Sequence, residues 1–134
     1  MRVLVVDDDP ASRQVLAAHL SGLAETFLCA SGPEAVDAAG AAIASGAPFD
    51  VVFLDIIMPH MDGHETLVRL REVEERAGVV PENRMRAVMI TSMDDETNTM
   101  TALFDGQVAA YLVKPPNRSE LLEKLVTLGL LSLG

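Results

Sequence analysis

Apolar positions along the chain gather into five short blocks, separated by stretches in which apolar residues recur every three or four positions. Residues 2–6 (RVLVV) are β-branched and nearly all apolar, as in a strand buried on both faces. Asp9-Pro10 then supplies a helix cap followed by proline at the first helical position, where its missing N–H costs nothing. A helix is expected from Pro10 to about Leu20, with Val15, Leu16 and Leu20 on its apolar stripe and Gly22 closing it. Glu25 to Ala30 form a second strand, more polar at its start and so nearer the sheet edge. Ser31-Gly32-Pro33-Glu34 restarts a helix with a cap and an acidic first turn. Its body, AVDAAGAAIASG, is Ala-rich enough to pack closely and keeps helical spacing through Val36, Ala39 or Gly40, and Ile43. Gly46 and Pro48 stop it.

The central block is VVFLDIIMPHMDG, residues 51–63. A strand over about 50–54 runs into Asp55, Pro59 breaks regular structure, and Asp62-Gly63 turns the chain into a helix over 63–77. That helix carries Leu67 and Leu70 within a charge-rich pattern (Glu65, Arg69, Arg71, Glu72, Glu74, Glu75, Arg76), which predicts an exposed amphipathic helix ending at Gly78. Residues 79–84 read as a surface loop around Pro81, and 86–90 as the fourth strand. A helix is expected from about Asp94 to Phe104. Its acidic amino end suits the helix dipole, but Thr97, Asn98, Thr99 and Thr101 make it the weakest helix of the chain. Residues 111–113 form the fifth strand. Asn117-Arg118-Ser119-Glu120 resembles a capping box opening a last helix with Leu121, Leu122 and Leu125 on one face. Leu128 to Leu133 are expected to pack against the core, with dimerisation left open. Five βα units in succession predict an α/β fold, a parallel sheet covered on both faces.

At 134 residues the chain is sized for one domain, with no room for a second. No apolar run approaches the ~20 residues of a membrane helix, and Arg2 and the first strand follow Met1 directly, so a cytoplasmic location is expected. The formal charge of −10 opposes nucleic-acid binding, which relies on Lys and Arg to neutralise phosphates. Proteins or a cation are the expected partners. The single cysteine, Cys29, lies in TFLCA, where a buried, reduced thiol is expected.

A carboxylate at the end of a buried strand is costly unless paired, hydrogen-bonded or metal-bound, so Asp55 calls for partners. Other strand-like blocks end in suitable ones: Asp7-Asp8-Asp9, Thr91-Ser92 and Lys114. Carboxylates, a hydroxyl and an amine at strand carboxyl ends predict a phosphoryl site on a parallel sheet.

These residues also carry a resemblance. VLVVDDDP at 3–10, LDIIMPHMDG at 54–63, Thr91-Ser92 and AYLVKP at 110–115 make the chain similar to response-regulator receiver domains of the single-domain chemotaxis type, over essentially its whole length. The resemblance implies a doubly wound, flavodoxin-like five-stranded sheet of order 2-1-3-4-5, and a single receiver domain over 1–134 with no output domain. It implies Asp55 as phosphoacceptor, and Mg²⁺ held by Asp55, by Asp8 directly, by Asp7 through water and by the backbone carbonyl of Ile57. Thr91 and Lys114 would contact the phosphoryl group, Thr91 and Tyr111 would form the switch, and the peptide bond between Lys114 and Pro115 would be cis. A histidine kinase or phosphotransfer protein would donate. An unidentified protein target would read the surface spanning 94–128, and the chain would be a monomer or weak dimer that catalyses only its own phosphorylation and dephosphorylation.

The chemistry fits these residue types. Three acidic groups in one crevice repel strongly and require a compensating cation, and Mg²⁺ accepts carboxylates while leaving positions for phosphate oxygens. Ile57 and Met93 occupy positions that border the water path in this family, and neither can orient water, so self-dephosphorylation is expected to be slow. FDGQVA at 104–109 departs from the small Gly-Ala step usual in the family. Asp9 is expected to cap the first helix rather than bind metal. His60 and His64 stand four apart, but Pro59 and Gly63 place them at a turn and HExxH is absent, which disfavours zinc. Two rival functions remain at this level. A small aspartate-dependent phosphatase would use Asp7, Asp9, Thr91 and Lys114, and a phosphorylation-independent adaptor would use none of them.

Overall fold

The computed structural model of the protein describes residues 1–92 and 108–132. Five parallel strands form one sheet: β1 (Arg2–Val6), β2 (Glu25–Cys29), β3 (Val51–Asp55), β4 (Arg86–Thr91) and β5 (Ala110–Val113), in the order β2-β1-β3-β4-β5. The helices among the described residues are α1 (Pro10–Leu20), α2 (Gly32–Ala44), α3 (Gly63–Arg76) and α4 (Arg118–Thr127). The expected helix over 94–104 lies outside the described residues, as do Met93 and Leu133.

Alternation along the strands splits the apolar residues between two cores. Val3, Val5, Val51, Phe53, Val88, Ile90 and Leu112 share one with Leu16 and Leu20 of α1 and Leu121 and Leu125 of α4. Leu4, Val6, Val52, Leu54, Ala87 and Met89 point the other way, toward α2 and α3. Because β1 and β3 are buried on both faces, they read in the sequence as unbroken apolar runs. β2 sits at the sheet edge, as its polar start implies, and exposes Phe27 and Leu28.

Helix starts follow the capping residues. Asp9, Ser31, Asp62 and Asn117 are the N-caps of α1 to α4, each accepting a backbone N–H within the first turn. The Asn117 amide also donates to Glu120 at 3.0 Å, completing a reciprocal cap.

Four details differ from the sequence expectation. Val15 does not join the core stripe of α1 but stays 40% exposed, while Leu16 and Leu20 are buried. The inner face of α2 is its small residues, Gly32, Ala35, Ala39 and Ala42, with Val36 and Ile43 only partly covered. This lets α2 pack closely on α3: a Cβ on Gly32 would collide with Thr66 and Met61. Glu74 is not on the exposed face of α3 but 2% exposed, accepting Met85 N–H at 2.7 Å and the Arg71 guanidinium at 2.8 Å. Its carboxylate satisfies a buried donor just before β4, so its place on the Leu67–Leu70 face outweighs its charge. The loop after α3 contains a 3₁₀ turn at Pro81–Asn83. Leu128, Leu130 and Leu131 pack against the α1–α4 core.

Candidate functional site

Asp55 ends β3 and is 6% exposed. Directly after β1, Asp7 is 1% exposed and held by its own N–H to Cys29 carbonyl at 3.1 Å and by Asp9 N–H donating to its Oδ1 at 2.9 Å. Asp8 is exposed beside it. One carboxylate oxygen from each of Asp7, Asp8 and Asp55 lies within 4.8 Å of the others. Among the described residues no group of three or more such ligands includes His60 or His64.

Lys114 reaches this cluster from the end of β5. Its backbone N–H donates to Thr91 carbonyl at 2.6 Å, and its ammonium lies 2.7 Å from Asp7 Oδ2 and 3.2 Å from Asp55 Oδ2. The Asp7 contact is the shorter of the two and pairs the ammonium with an almost fully buried carboxylate. The Lys114–Pro115 peptide bond is cis. Thr91, at the end of β4, is 1% exposed and pairs in register with Val113.

The loop after β3 fits tightly beneath Asp55. Gly63 N–H donates to Ile56 carbonyl at 2.8 Å, and a Cβ at Gly63 would stand 2.5 Å from Asp55 carbonyl oxygen and 2.8 Å from Ile56 Cα. Only glycine allows that approach. Asp55 Oδ1 accepts Ile57 N–H at 3.4 Å, and the Ile57 side chain, 56% exposed, stands over the loop. Tyr111 is half-buried against the α2–α3 core, its hydroxyl buried without a hydrogen-bond partner among the described residues.

Burial raises the Asp55 carboxyl to about 6, with the Asp7 charge adding to the effect and Lys114 opposing it. For Lys114, burial works downward, but the two carboxylates outweigh it and hold the ammonium above its ordinary value. The Cys29 thiol is pushed up to about 11 by burial and by Glu34. It is an inert core group, as expected.

Asp9 spends both carboxylate oxygens on the start of α1, accepting Ala11 N–H at 3.0 Å and the Ser12 hydroxyl at 3.1 Å. One participant was not foreseen. Arg13 Nη1 donates to Asp7 carbonyl at 2.7 Å and steadies the acidic turn from the first turns of α1. Its place six residues after Asp7, beyond a capped helix start, was the available signal.

The fold and the site together define an open, doubly wound α/β domain with a carboxylate and lysine cluster at strand carboxyl ends, where ligands of such sheets bind. The chain belongs to the response regulator receiver domain family, which it matches over residues 3–126. It is therefore a CheY-like domain of two-component signalling. Similar proteins include the transcriptional regulatory protein AruR of Pseudomonas aeruginosa, 37% identical over 124 residues, an alignment covering 92% of this chain and 47% of AruR. The chemotaxis protein CheY4 of Vibrio cholerae superposes with a TM-score of 0.70 at 29% identity, covering 94% of this chain and 96% of that one. The receiver domain of the Arabidopsis thaliana histidine kinase CKI1, complexed with Mg²⁺ and BeF₃⁻, gives a TM-score of 0.74 at 32% identity, covering 93% and 89%. The chain spans about half the length of the regulators AruR and TcrA (47% and 46%). No helix among the described residues is long and apolar enough to cross a membrane.

Proposed function

We propose that Asp55 accepts a phosphoryl group and that the protein passes on a signal by changing what it binds. The observation that carries this reading is the Lys114 ammonium between Asp7 and Asp55, 2.7 and 3.2 Å away, beside an exposed third carboxylate. Family membership and the CKI1 neighbour support it.

The donor set suits Mg²⁺. Asp7 presents a buried oxygen whose close partner is the Lys114 ammonium, and burial with the Asp7 charge raises the Asp55 carboxyl to about 6, a cost of ionisation that a cation would relieve. Asp7, Asp8, Asp55 and the Ile57 carbonyl would hold the ion, which supplies charge neutralisation for phosphate oxygens. The chain's own groups do the rest. Asp55 is the nucleophile, fixed by the strand behind it and the Gly63 contact below. Lys114 neutralises the transferring phosphoryl group. Thr91 contacts the product with its hydroxyl, and Tyr111 with Thr91 relays its presence to the surface over 94–128, part of which lies outside the described residues.

The donor is a histidine kinase or phosphotransfer protein and the output is binding to another protein. We take the protein to act in the cytoplasm as a signalling regulator whose own chemistry is its phosphorylation and dephosphorylation. The phosphatase alternative loses a participant, because both Asp9 carboxylate oxygens are engaged in capping α1. The test is Mg²⁺-dependent phosphorylation by a small phosphodonor on a phosphate-affinity gel. A shifted band that needs both Mg²⁺ and Asp55 supports the reading. Its absence in wild type, with a kinase also unable to label the protein, favours the phosphorylation-independent adaptor.

A further inference from the structure

A second feature adjoins the site and is unused by the acceptor chemistry. Between α1 and the loop after β5 runs a groove of about 230 Å³, with Ala11, Val15, Leu16, Pro115 and Pro116 in its walls and Asp7 and Lys114 among its lining residues. Apart from those two, Ser12 is the one polar residue of the lining, and its hydroxyl is engaged by Asp9. The walls are tied together: a His19 ring nitrogen lies 3.1 Å from Pro116 carbonyl oxygen, and Arg118 Nε donates to His19 carbonyl at 3.3 Å. The groove is thus preformed, and Val15, 40% exposed, is the large apolar side chain it leaves uncovered on α1. An uncovered apolar surface beside a phosphoryl-binding cation suits a ligand with an anionic head and an apolar body.

Building on the acceptor reading above, we propose that this groove receives the leaving group of small phosphodonors, so that acyl phosphates with an aromatic acyl group serve better than acetyl phosphate. Lys114 belongs to both the groove and the acidic cluster, so a phosphoryl group set against it has the apolar walls beside its remaining substituent. In the step itself, an Asp55 carboxylate oxygen bonds to phosphorus as the bond from phosphorus to the acyl oxygen breaks. The electron pair departs on the acyl carboxylate, which leaves as an anion and needs no proton. Aspartyl phosphate and a free carboxylate are the products, with total charge unchanged. Binding an aromatic ring where acetyl offers one methyl group favours the aromatic donor about tenfold in kcat/KM.

The experiment compares benzoyl phosphate with acetyl phosphate as donors, with Mg²⁺ present, in wild type and Val15→Ser. The expected result is a rate ratio of about ten in wild type that falls severalfold in the variant, which separates the groove's contribution from the donors' intrinsic reactivity. A wild-type ratio near one, or a ratio unaffected by Val15→Ser, overturns the preference while leaving the acceptor role intact. Labelling by neither donor overturns the preference, and failure of a histidine kinase to label the protein as well overturns the acceptor role with it. A second measurement on the unmodified chain uses benzylphosphonate, which cannot transfer its phosphoryl group. It should shift the amide resonances of Ala11 and Val15 and saturate, and unshifted resonances overturn the groove assignment.

Discussion

At the scale of the residue, Asp55 has a measurable pH signature. Its carboxyl stands at about 6 against an ordinary 3.8, so the folded protein favours the neutral form. The stability this group contributes is fully present below pH 3.8 and is lost as pH rises through about 6. Above that, the ionised carboxylate costs the fold on the order of 3 kcal/mol, which a cation or a neutral replacement relieves. Asp55→Asn is therefore expected to be the more stable protein at pH 8 and to lose that advantage toward pH 4. Urea denaturation across this range checks it, and equal stabilities at pH 8 contradict the burial and charge argument. Ile57 gives the second residue-scale prediction. An exposed aliphatic side chain cannot hold an attacking water, so Ile57→Asn is expected to shorten the aspartyl phosphate lifetime by roughly tenfold, less than a positioned proton acceptor is worth because an amide only orients the water. A time course on a phosphate-affinity gel reads it, and an unchanged lifetime removes Ile57 from the hydrolytic path.

At the scale of the element, two contacts join helices to the sheet. A side chain at Gly63 meets backbone rather than a flexible neighbour, so α3 or the end of β3 must move to admit it. Gly63→Ala is expected to cost about 1–3 kcal/mol and to weaken phosphorylation at Asp55, both measurable on one preparation. Glu74 ties α3 to the residue preceding β4. Glu74→Ala strands the Met85 N–H and one contact of Arg71, for a loss of roughly 3 kcal/mol in chemical denaturation. Glu74→Gln, which keeps an acceptor for Met85, should lose less. These elements also show where sequence reading succeeds and where it stops. The caps at Asp9, Ser31, Asp62 and Asn117 are local chemistry between a side chain and the next turn, so they were legible. Glu74 was not, because its partner lies eleven residues on and a charge normally marks a solvent face. Val15 was misread for a related reason. Periodicity says which side of a helix is apolar, but the width of the strip that the sheet covers depends on how α1 lies across it.

At the scale of the whole molecule, the sheet brings together residues from the ends of four strands that are distant in the chain. Their juxtaposition was legible because each is the first polar residue at the carboxyl end of an apolar run, or close to it, and parallel strands align those ends. The closer approach of Lys114 to Asp7 than to Asp55 was not, since side-chain reach across a crevice leaves no periodic trace. A global prediction follows from the clustered acids. Mg²⁺ should raise the thermal midpoint near pH 7.5, at 100 times its dissociation constant by the equivalent of about 2.7 kcal/mol. Asp8→Ala should blunt this, and a midpoint indifferent to Mg²⁺ in wild type counts against cation binding.

The glycine contact beneath Asp55 has a mechanical consequence. With β1 and β4 on either side of its strand and backbone pressed against backbone below, Asp55 sits on an anvil: load applied to its carboxylate finds almost no give in that direction. The Lys114 ammonium reaches Asp55 from the end of β5, which among the described residues is bonded to a single neighbour. A charge added at Asp55 is therefore expected to press on the Lys114 side, toward the margin of the sheet, and the asymmetry of that seat would give the molecule a direction.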